Sequence, residues 1–455
     1  MVVKRASARA AGAAERDIPG LPARRTASRL LGAVIDASTP LDALTDQQHG
    51  HPQYLALAPR DRALVRAILA TALRYRLTIA GLIERHLDRP LPPAAHALSH
   101  LFHVAAAQIL FLDVPDSAAV DLAVTQAKLD PRNARFAALV NAVLRGLARG
   151  KAEELPRALA GTVDAPRWFA DRLQETYGAE TAAAILAVHR TEAPTDLTVK
   201  ADPERWAERL GGFVLPTGSV RLPRLERAVP ELEGFADGGW WVQDAAAALP
   251  ARLLGDIAGL SVADLCAAPG GKTAQLAAAG ARVTALDSSR NRLARLAGNL
   301  ERLGLKADIV EANLRSWRPS ALFDAVLLDA PCSSTGTVRR HPDVPWTKSP
   351  KDIAQLAALQ RSLLDAAWRL VRPGGRLVFS NCSLDPEEGE RLADAWLAAT
   401  PQLALDPIGA DEVDGAAPFL RREGWMRTTP ADLPLGEPER SGLDGFFAVR
   451  FRRLG

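Results

Sequence analysis

The feature that most constrains the fold of this 455-residue chain is an alternation of short apolar runs with helical segments, from about Leu253 onward. Such alternation is typical of βαβ units in a doubly wound parallel sheet. The runs assigned to strands are Val262–Leu265, Arg282–Leu286, Ala307–Glu311, Ala325–Leu328, Arg376–Ser380 and Phe446–Phe451. We therefore predict an α/β Rossmann-like domain whose last strand, entered through Gly442–Phe447, is antiparallel.

Before that region, from about residue 23 to residue 149, the apolar residues follow a helical period. One stripe at i, i+3, i+4 and i+7 consists of Val65, Ile68, Leu69 and Ala72. Prolines mark the connections, and the pattern predicts an all-α bundle of about five to seven helices. The last helices carry a basic surface formed by Arg132, Arg135, Arg145, Arg149 and Lys151. Such a group of charges has two interpretations: a helix face that is only solvated, which is the usual case, or an RNA-binding surface.

These patterns divide the chain into four parts. Residues 1–23 form an Arg-rich arm, interpreted as flexible, with a transit peptide as the alternative. Residues 24–155 form the helical domain. Residues 156–237 form a small α+β subdomain, in which Asp196–Lys200 is a predicted strand. Residues 238–455 form the α/β domain.

The composition favours a soluble globular protein of the cytoplasm. Hydrophobic residues make up 48% and charged residues 24%, and the net charge is only +3, so a nucleic-acid surface must be local. Three cysteines are too few for a disulfide framework, and none lies in a zinc-ligand pattern. We expect no metal, no membrane segment and no secretory signal.

The loop after the first strand of the α/β domain has the composition of a ligand-binding turn. Two adjacent glycines precede a helix whose N-terminal N–H groups are available to a ligand; the loop is Cys266, Ala267, Ala268, Pro269, Gly270, Gly271 and Lys272. A P-loop would need glycine where Cys266 stands. Asp287 ends the second strand, where an acid accepts hydrogen bonds from ribose hydroxyls. The pattern indicates an adenosine-bearing ligand, and S-adenosylmethionine is favoured because no Mg²⁺-binding pairing is present.

The other two cysteines occur in matched settings. Cys332 lies in Asp329–Ser333 and Cys382 in Asn381–Ser383, each directly after a predicted strand. Ligands of open α/β sheets bind at the carboxyl edge of the strands. A free cysteine is often only a small buried hydrophobe, but this pairing favours shared chemistry.

Two resemblances add to this interpretation. Leu101–Val104, Gln108–Leu110, Ala118–Val120 and above all Phe136–Arg145 resemble the NusB-type fold over about residues 24 to 150, which implies an RNA-binding domain. Ala267–Thr273, Asp329–Ser333 with Thr335–Gly336, Arg339–Asp343, and Asn381–Ser383 with Pro386–Glu388 resemble cytosine-5 RNA methyltransferases of the Sun/Fmu (RsmB) type in the Nop/Sun family. The similarity extends over nearly the whole chain and implies a class I methyltransferase domain.

The second resemblance implies roles for individual residues. Cys382 would be the nucleophile that adds to carbon 6 of cytosine, Cys332 would help to release the product, and Asp329 would hydrogen-bond the cytosine edge near the cofactor. Asp287 and Asn313 would join the glycine loop and Asp329 in binding S-adenosylmethionine. The reactive thiol should have a lowered pKa, and Lys272 and Arg339 are the candidate cations. Two positions depart from the family: Asn381 replaces threonine, and Asn313 replaces aspartate.

The resemblance implies a monomeric cytoplasmic enzyme that forms 5-methylcytosine in ribosomal RNA, with 16S RNA or an assembling small subunit as its partner. A tRNA substrate is an alternative, because sibling enzymes share these motifs. A non-catalytic RNA-binding assembly factor would have lost Cys382, Asp329 or the glycine loop, and all are present. A thiol redox enzyme would usually carry C-x-x-C, which is missing.

Overall fold

The computed structural model describes residues 18–225 and 227–455, which form two compact units. The first contains the described part of Met1–Ala170 together with His341–Lys348, and the second contains Asp171–Arg340 and Ser349–Gly455. Most of the predicted arm, residues 1–17, lies outside the described residues. The first helix begins at Leu21.

The first unit is helical, as predicted. Its helices are α1 (Leu21–Ala37), α2 (Leu41–Leu44), α3 (Pro52–Leu55), α4 (Pro59–Arg74), α5 (Arg76–Arg85), α6 (His96–Phe111), α7 (Asp116–Leu129) and α8 (Ala137–Gly161), with a 3₁₀ turn at Ala134–Phe136. The predicted stripe on α4 is fully buried, because its side chains meet the apolar faces of α1 and α6. Helix α9 (Arg167–His189), which Gly178 interrupts with φ 78°, spans the boundary between the units.

A short segment from the C-terminal half of the sequence belongs to the helical unit. Trp346 Nε1 donates a hydrogen bond to Leu73 O at 3.1 Å, and Asp343 accepts one from Leu41 N at 2.9 Å. The segment forms the short helix α14 (Val344–Thr347). The motif Arg339–Asp343 is therefore divided between the two units after Arg340.

The second unit contains a small antiparallel sheet with strand order β2-β3-β1-β4. Its strands are β1 (Thr195–Val199), β2 (Phe213–Val214), β3 (Val220–Leu222) and β4 (Trp240–Val242), accompanied by α10 (Pro203–Leu210). The predicted strand at Asp196–Lys200 is thus present as β1. Leu197, Val220 and Trp240 form its buried core.

The larger sheet has the order β10-β12-β9-β8-β5-β6-β7, with β11 paired to β12. Strands β5 to β9 are parallel neighbours, whereas β10, β11 and β12 pair antiparallel. The strands are β5 (Ser261–Leu265), β6 (Arg282–Asp287), β7 (Asp308–Glu311), β8 (Phe323–Asp329), β9 (Val371–Asn381), β10 (Leu403–Leu405), β11 (Met426–Thr428) and β12 (Phe446–Arg453). This arrangement confirms the predicted α/β fold and its antiparallel last strand.

One helix precedes β5, and others follow β5, β6, β8 and β9. They are α11 (Leu249–Arg252), α12 (Gly271–Ala278), α13 (Arg290–Leu303), α15 (Pro350–Trp368) and α16 (Glu390–Ala398), with 3₁₀ turns at Val229–Glu231, Thr335–Thr337 and Ala417–Phe419. Two large buried clusters contain side chains of the sheet strands. Among the helices of residues 18–225 and 227–455, none has the length and apolar character needed to cross a membrane.

Candidate active site

The carboxyl ends of β5, β8 and β9 bring together the glycine loop, Asp329 and the two cysteines Cys332 and Cys382. Leu265 pairs with Leu328, and Asp329 pairs with Ser380, so the loops that follow these strands start at one edge of the sheet. A cavity of about 310 Å³ lies there. It is lined by Val242, Gln243, Asp244, Ala247, Asp264, Cys266, Ala267, Ala268, Pro269, Gly271, Lys272, Asp329, Thr337, Arg340, Cys382, Asp444 and Phe446. The edge is the ligand-binding position of an open α/β sheet.

The glycine loop has a backbone that explains its composition. Gly270 has φ 103°, and a Cβ there would lie 2.9 Å from Leu296 Cγ, so only glycine fits. Helix α12 then starts at Gly271. Burial raises the pKa of Cys266 to about 12, so its thiol stays protonated. The loop therefore offers backbone groups rather than a reactive sulfur to a ligand.

Asp264, at the end region of β5, is a cavity residue that the sequence analysis did not single out. Its Oδ2 accepts a hydrogen bond from Thr273 Oγ1 at 2.6 Å, while its buried Oδ1 has no partner among the described residues. Burial raises its pKa to about 7. The sequence shows that Asp264 precedes the glycine turn, but it does not show that one carboxylate oxygen of Asp264 is unsatisfied.

Asp287 and Asn313 lie outside the lining of this cavity. Asp287 is buried at the end of β6, where its Oδ2 accepts from Ala268 N at 3.3 Å and lies 3.3 Å from Arg292 Nη1. It therefore contacts the glycine loop directly. Asn313 is exposed, and its Oδ1 accepts from Arg315 N at 3.1 Å.

Asp329 is held by two neighbours at the cavity. Lys272 Nζ lies 2.7 Å from its Oδ2, and Ser380 Oγ donates to its Oδ1 at 2.9 Å. Lys272 also stands 5.0 Å from the centre of the Phe446 ring. The carboxylate is thus fixed in one orientation with a cation beside it.

The thiols of Cys332 and Cys382 lie 3.3 Å apart, Sγ to Sγ. This contact lowers the pKa of Cys382, and weaker contributions come from Ser334 Oγ at 3.6 Å and from Lys272. The same contact, reinforced by burial, raises the pKa of Cys332 well above its usual range. Of the two thiols, Cys382 is therefore the one that loses its proton more readily.

Arg339, the second candidate cation for the thiol, is engaged elsewhere. Its Nε lies 2.7 Å from Asp444 Oδ1, and it also bonds Asp244. Arg340 Nη2 lies 2.7 Å from Asp244 Oδ2. Burial alone would raise the pKa of Asp244, but the two guanidiniums lower it well below its usual range. The two arginines and two aspartates form a paired, charge-balanced cluster, of which Asp244, Arg340 and Asp444 line the cavity.

The cavity residues suit S-adenosylmethionine. The cofactor carries a cationic sulfonium and ammonium, and the site supplies the unsatisfied Asp264 Oδ1 and the carboxylate of Asp329. The glycine turn allows close approach of a ligand to the backbone. A volume of about 310 Å³ is at the lower end of the range for ligand pockets.

A parallel-rich sheet with this loop, and a helical domain before it, defines a class I methyltransferase joined to a NusB-type domain. Comparison with known proteins agrees: a family model described as "16S rRNA methyltransferase RsmB/F" matches residues 255–452, and one described as "NusB family" matches residues 21–149. The chain belongs to the RsmB/F family of 16S ribosomal RNA methyltransferases, and S-adenosylmethionine is its cofactor. The predicted family, fold and cofactor are thereby confirmed.

Relatives extend over most of the chain. It is 38% identical over 415 residues to "Ribosomal RNA small subunit methyltransferase B" of Xanthomonas campestris pv. campestris, covering 88% of this chain and 92% of that protein. The protein of the same name from Vibrio cholerae is 36% identical over 388 residues, covering 81% and 88%. A solved methyltransferase homologue from Pyrococcus horikoshii is 29% identical with a TM-score of 0.53, covering 65% of this chain and 96% of its own.

Proposed function

We propose that this enzyme methylates carbon 5 of a cytosine in ribosomal RNA through a covalent adduct between Cys382 and carbon 6. The observation that carries the proposal is the pair of thiols 3.3 Å apart, with a lowered pKa at Cys382 and a raised pKa at Cys332. Cys382, which loses its proton more readily, is then the better nucleophile of the two. Carbon 5 of cytosine is a weak nucleophile, and thiolate addition at carbon 6 converts the ring into an enamine that attacks a methyl donor.

The cofactor supplies an electrophilic methyl group when it is bound. We assign its binding to the glycine loop from Cys266 to Lys272, to Asp264, and to Asp329 at its methionine end. Asp287 is assigned to the ribose hydroxyls, and Asn313 to the adenine amine. The support is the cavity lining for the first group and the contact of Asp287 with Ala268 N for the ribose position. Asn313 has the least support, because it is exposed.

In the first step the Cys382 thiolate forms the sulfur–carbon 6 bond. Asp329 accepts a hydrogen bond from the cytosine edge, and Lys272, 2.7 Å from Asp329, balances the negative charge that develops at N3. Carbon 5 of the enamine would then take the methyl group of the bound cofactor, whose sulfonium would leave as a neutral thioether. In the last step the carbon 5 proton passes to a solvent water, the electrons of its C–H bond reform the ring double bond, and Cys382 departs as thiolate. Cys332 donates a hydrogen bond to that departing sulfur and so assists release.

The experiment that tests this function is bisulfite sequencing of total RNA from a strain lacking the gene, compared with the same strain complemented by the wild-type gene. Loss of one protected cytosine in 16S RNA, restored on complementation, is the expected result. Loss of a protected cytosine in tRNA would move the substrate to the alternative class. An unchanged pattern would contradict cytosine-5 methylation.

We also propose that the helical unit binds the RNA through the basic surface of α8. Two of the predicted basic residues are neutralised within the unit, since Asp130 pairs with Arg132 at 2.9 Å and Asp116 with Lys151 at 2.8 Å. Arg145 instead donates to the neutral Asn141 at 2.9 Å and keeps its charge available for phosphate. This difference provides a test with a matched control.

Replacing Arg145 and Arg149 by alanine should weaken RNA binding and flatten its dependence on salt, by about 0.7–0.9 in the log–log slope for each phosphate that the variant no longer neutralises. Arg132→Ala is the control and should change the slope less, because Asp130 already neutralises that guanidinium. The measurement is the RNA dissociation constant at several salt concentrations. Equal slopes for the double variant and the wild type would contradict this role of α8.

A further inference from the structure

A buried carboxylate, that of Glu388, binds both loops that carry the paired thiols. Glu388 is fully buried and lies after Cys382, in the turn between β9 and α16. Oε1 accepts a hydrogen bond from the backbone N–H of Ser333 at 2.9 Å, and Oε2 accepts one from Ser333 Oγ. Ser333 is the residue directly after Cys332, so one loop is anchored at the position next to its thiol.

The other loop is anchored in the same way. Ser383, directly after Cys382, donates its hydroxyl to Glu388 Oε2 at 2.6 Å. Ser333 and Ser383 therefore share one carboxylate oxygen, and their hydroxyl oxygens lie 3.1 Å apart. Asn381 Nδ2, on the other side of Cys382, donates to the backbone oxygen of Glu388 at 2.6 Å.

The carboxylate of Glu388 satisfies every donor that meets it at this position. Gln360 Nε2 donates to Oε1 at 2.9 Å, so the two oxygens together receive hydrogen bonds from two serine hydroxyls, one backbone amide and one side-chain amide. An ionised carboxylate accepts hydrogen bonds only and has sites for about four donors. Removing it would leave these buried donors without an acceptor.

The two loops have a second connection that does not involve Glu388. The backbone N–H of Gly336 donates to Cys382 O at 2.9 Å, and Ala330 N donates to Ser380 O at 2.9 Å. Loss of the carboxylate therefore loosens the residues next to the thiols while main-chain bonds still join the loops.

We infer that Glu388 is a positioning residue that sets the distance between Cys332 and Cys382. This inference rests on the proposed function, in which the protonated thiol must reach the sulfur that attacks and departs. The carboxylate hydrogen-bonds neither thiol, although its charge is one of the causes that raise the pKa of Cys332. It acts through Ser333 and Ser383, which fix the backbone on either side of the sulfur pair.

The inference predicts a loss of turnover without a loss of cofactor binding. A misplacement on the order of 1 Å at a catalytic group can lower a rate by about 10²-fold. Glu388→Ala should therefore lower kcat on target RNA by roughly that factor, with the KM for S-adenosylmethionine changed less than about twofold. Glu388→Gln keeps the length and an oxygen for Ser333 N, so it should recover most of the lost kcat.

A readout that does not depend on methylation is the rate at which diamide joins Cys332 and Cys382 in a disulfide; diamide takes up the two thiol hydrogens. Thiols held 3.3 Å apart should be joined quickly in the full-length wild type. Glu388→Ala should slow the reaction about tenfold or more, and Glu388→Gln should slow it less. The matched control is Glu387→Gln, because Glu387 pairs with Arg172 at 2.6 Å and not with the cysteine loops.

Thermal unfolding and cofactor binding of each variant show whether it is folded. If Glu388→Ala is not folded, the disulfide rates and kcat values of Glu388→Gln and Glu387→Gln are compared instead. Equal disulfide rates in the Glu388 variants and the control would overturn the inference. Slower disulfide formation in the Glu388 variants with an unchanged kcat would also overturn it. If no variant or wild type methylates cytosine at all, the proposed function fails. The disulfide rates then still decide whether Glu388 sets the thiol spacing.

Discussion

The loop after β8 and the loop after β9 each place a cysteine directly before a serine, and both serines bind the same carboxylate. Their thiols nevertheless differ: the pKa of Cys382 is lowered, and the pKa of Cys332 is raised. The difference arises mainly from their mutual contact, and Ser334 Oγ and the charge of Lys272 also lower the pKa of Cys382. Similar sequence settings can thus give two thiols whose pKa values shift in opposite directions once the two loops meet.

The largest effect expected from breaking this pair is that of Cys382→Ala. Without the thiolate carbon 5 is not activated, so transfer of a radiolabelled methyl group from S-adenosylmethionine to target RNA should fall to background. Wild-type protein is the control, and binding of S-adenosylmethionine by both proteins, measured by calorimetry, shows that Cys382→Ala is folded. Residual transfer by Cys382→Ala near the level of the control would remove Cys382 from the nucleophile role.

A smaller effect should follow when only the donor is removed. The contact with Cys332 is the main cause that lowers the pKa of Cys382. In Cys332→Ala this contact is lost, so the pKa of Cys382 should rise and less thiolate should be present at a given pH. A hydrogen bond to a charged group contributes about 1.5–3 kcal/mol. Alkylation of Cys382 by iodoacetamide near neutral pH should therefore slow roughly tenfold or more, with the pH profile shifted upward. Mass spectrometry of the alkylated peptide measures this, and an unshifted profile would show that Cys332 does not stabilise the thiolate.

The smallest effect is expected from Ser334, whose hydroxyl lies 3.6 Å from Cys382 Sγ. Ser334 has φ 60°, so glycine is the substitution that removes the hydroxyl without adding backbone strain. Ser334→Gly should slow alkylation of Cys382 only about twofold, because a contact of this length is weak. A change as large as that of Cys332→Ala would mean that the hydroxyl, and not the neighbouring thiol, is the main stabilising group.

The strands and the position of the cysteines could be predicted from the sequence because they depend on local patterns. Apolar runs predicted β5, β6, β8 and β9, and the rule for parallel sheets placed Cys332 and Cys382 at one edge. The short strands β10 and β11 were missed, because runs of this length carry little periodic signal.

What the sequence could not provide was the pairing of side chains far apart in the chain. Arg339 was a candidate cation for the thiol, but in the fold Asp244 and Asp444 engage it. In the sequence Glu388 is recognisable only as part of a motif. Its role in joining the two loops is not visible there, because its four donors come from separate loops and a helix. Likewise, nothing in the local pattern of residues 341–348 shows that they pack with the helical unit.

The central claim, that Cys382 forms the covalent bond and Cys332 assists its release, is tested most directly by a denaturing gel of three proteins. Wild type, Cys332→Ala and Cys382→Ala are each incubated with target RNA and S-adenosylmethionine. We predict a shifted protein–RNA band that accumulates with Cys332→Ala, because the adduct forms and is released slowly, and no such band with Cys382→Ala. A shifted band with Cys382→Ala and none with Cys332→Ala would reverse the two roles, and a band with neither would contradict the account.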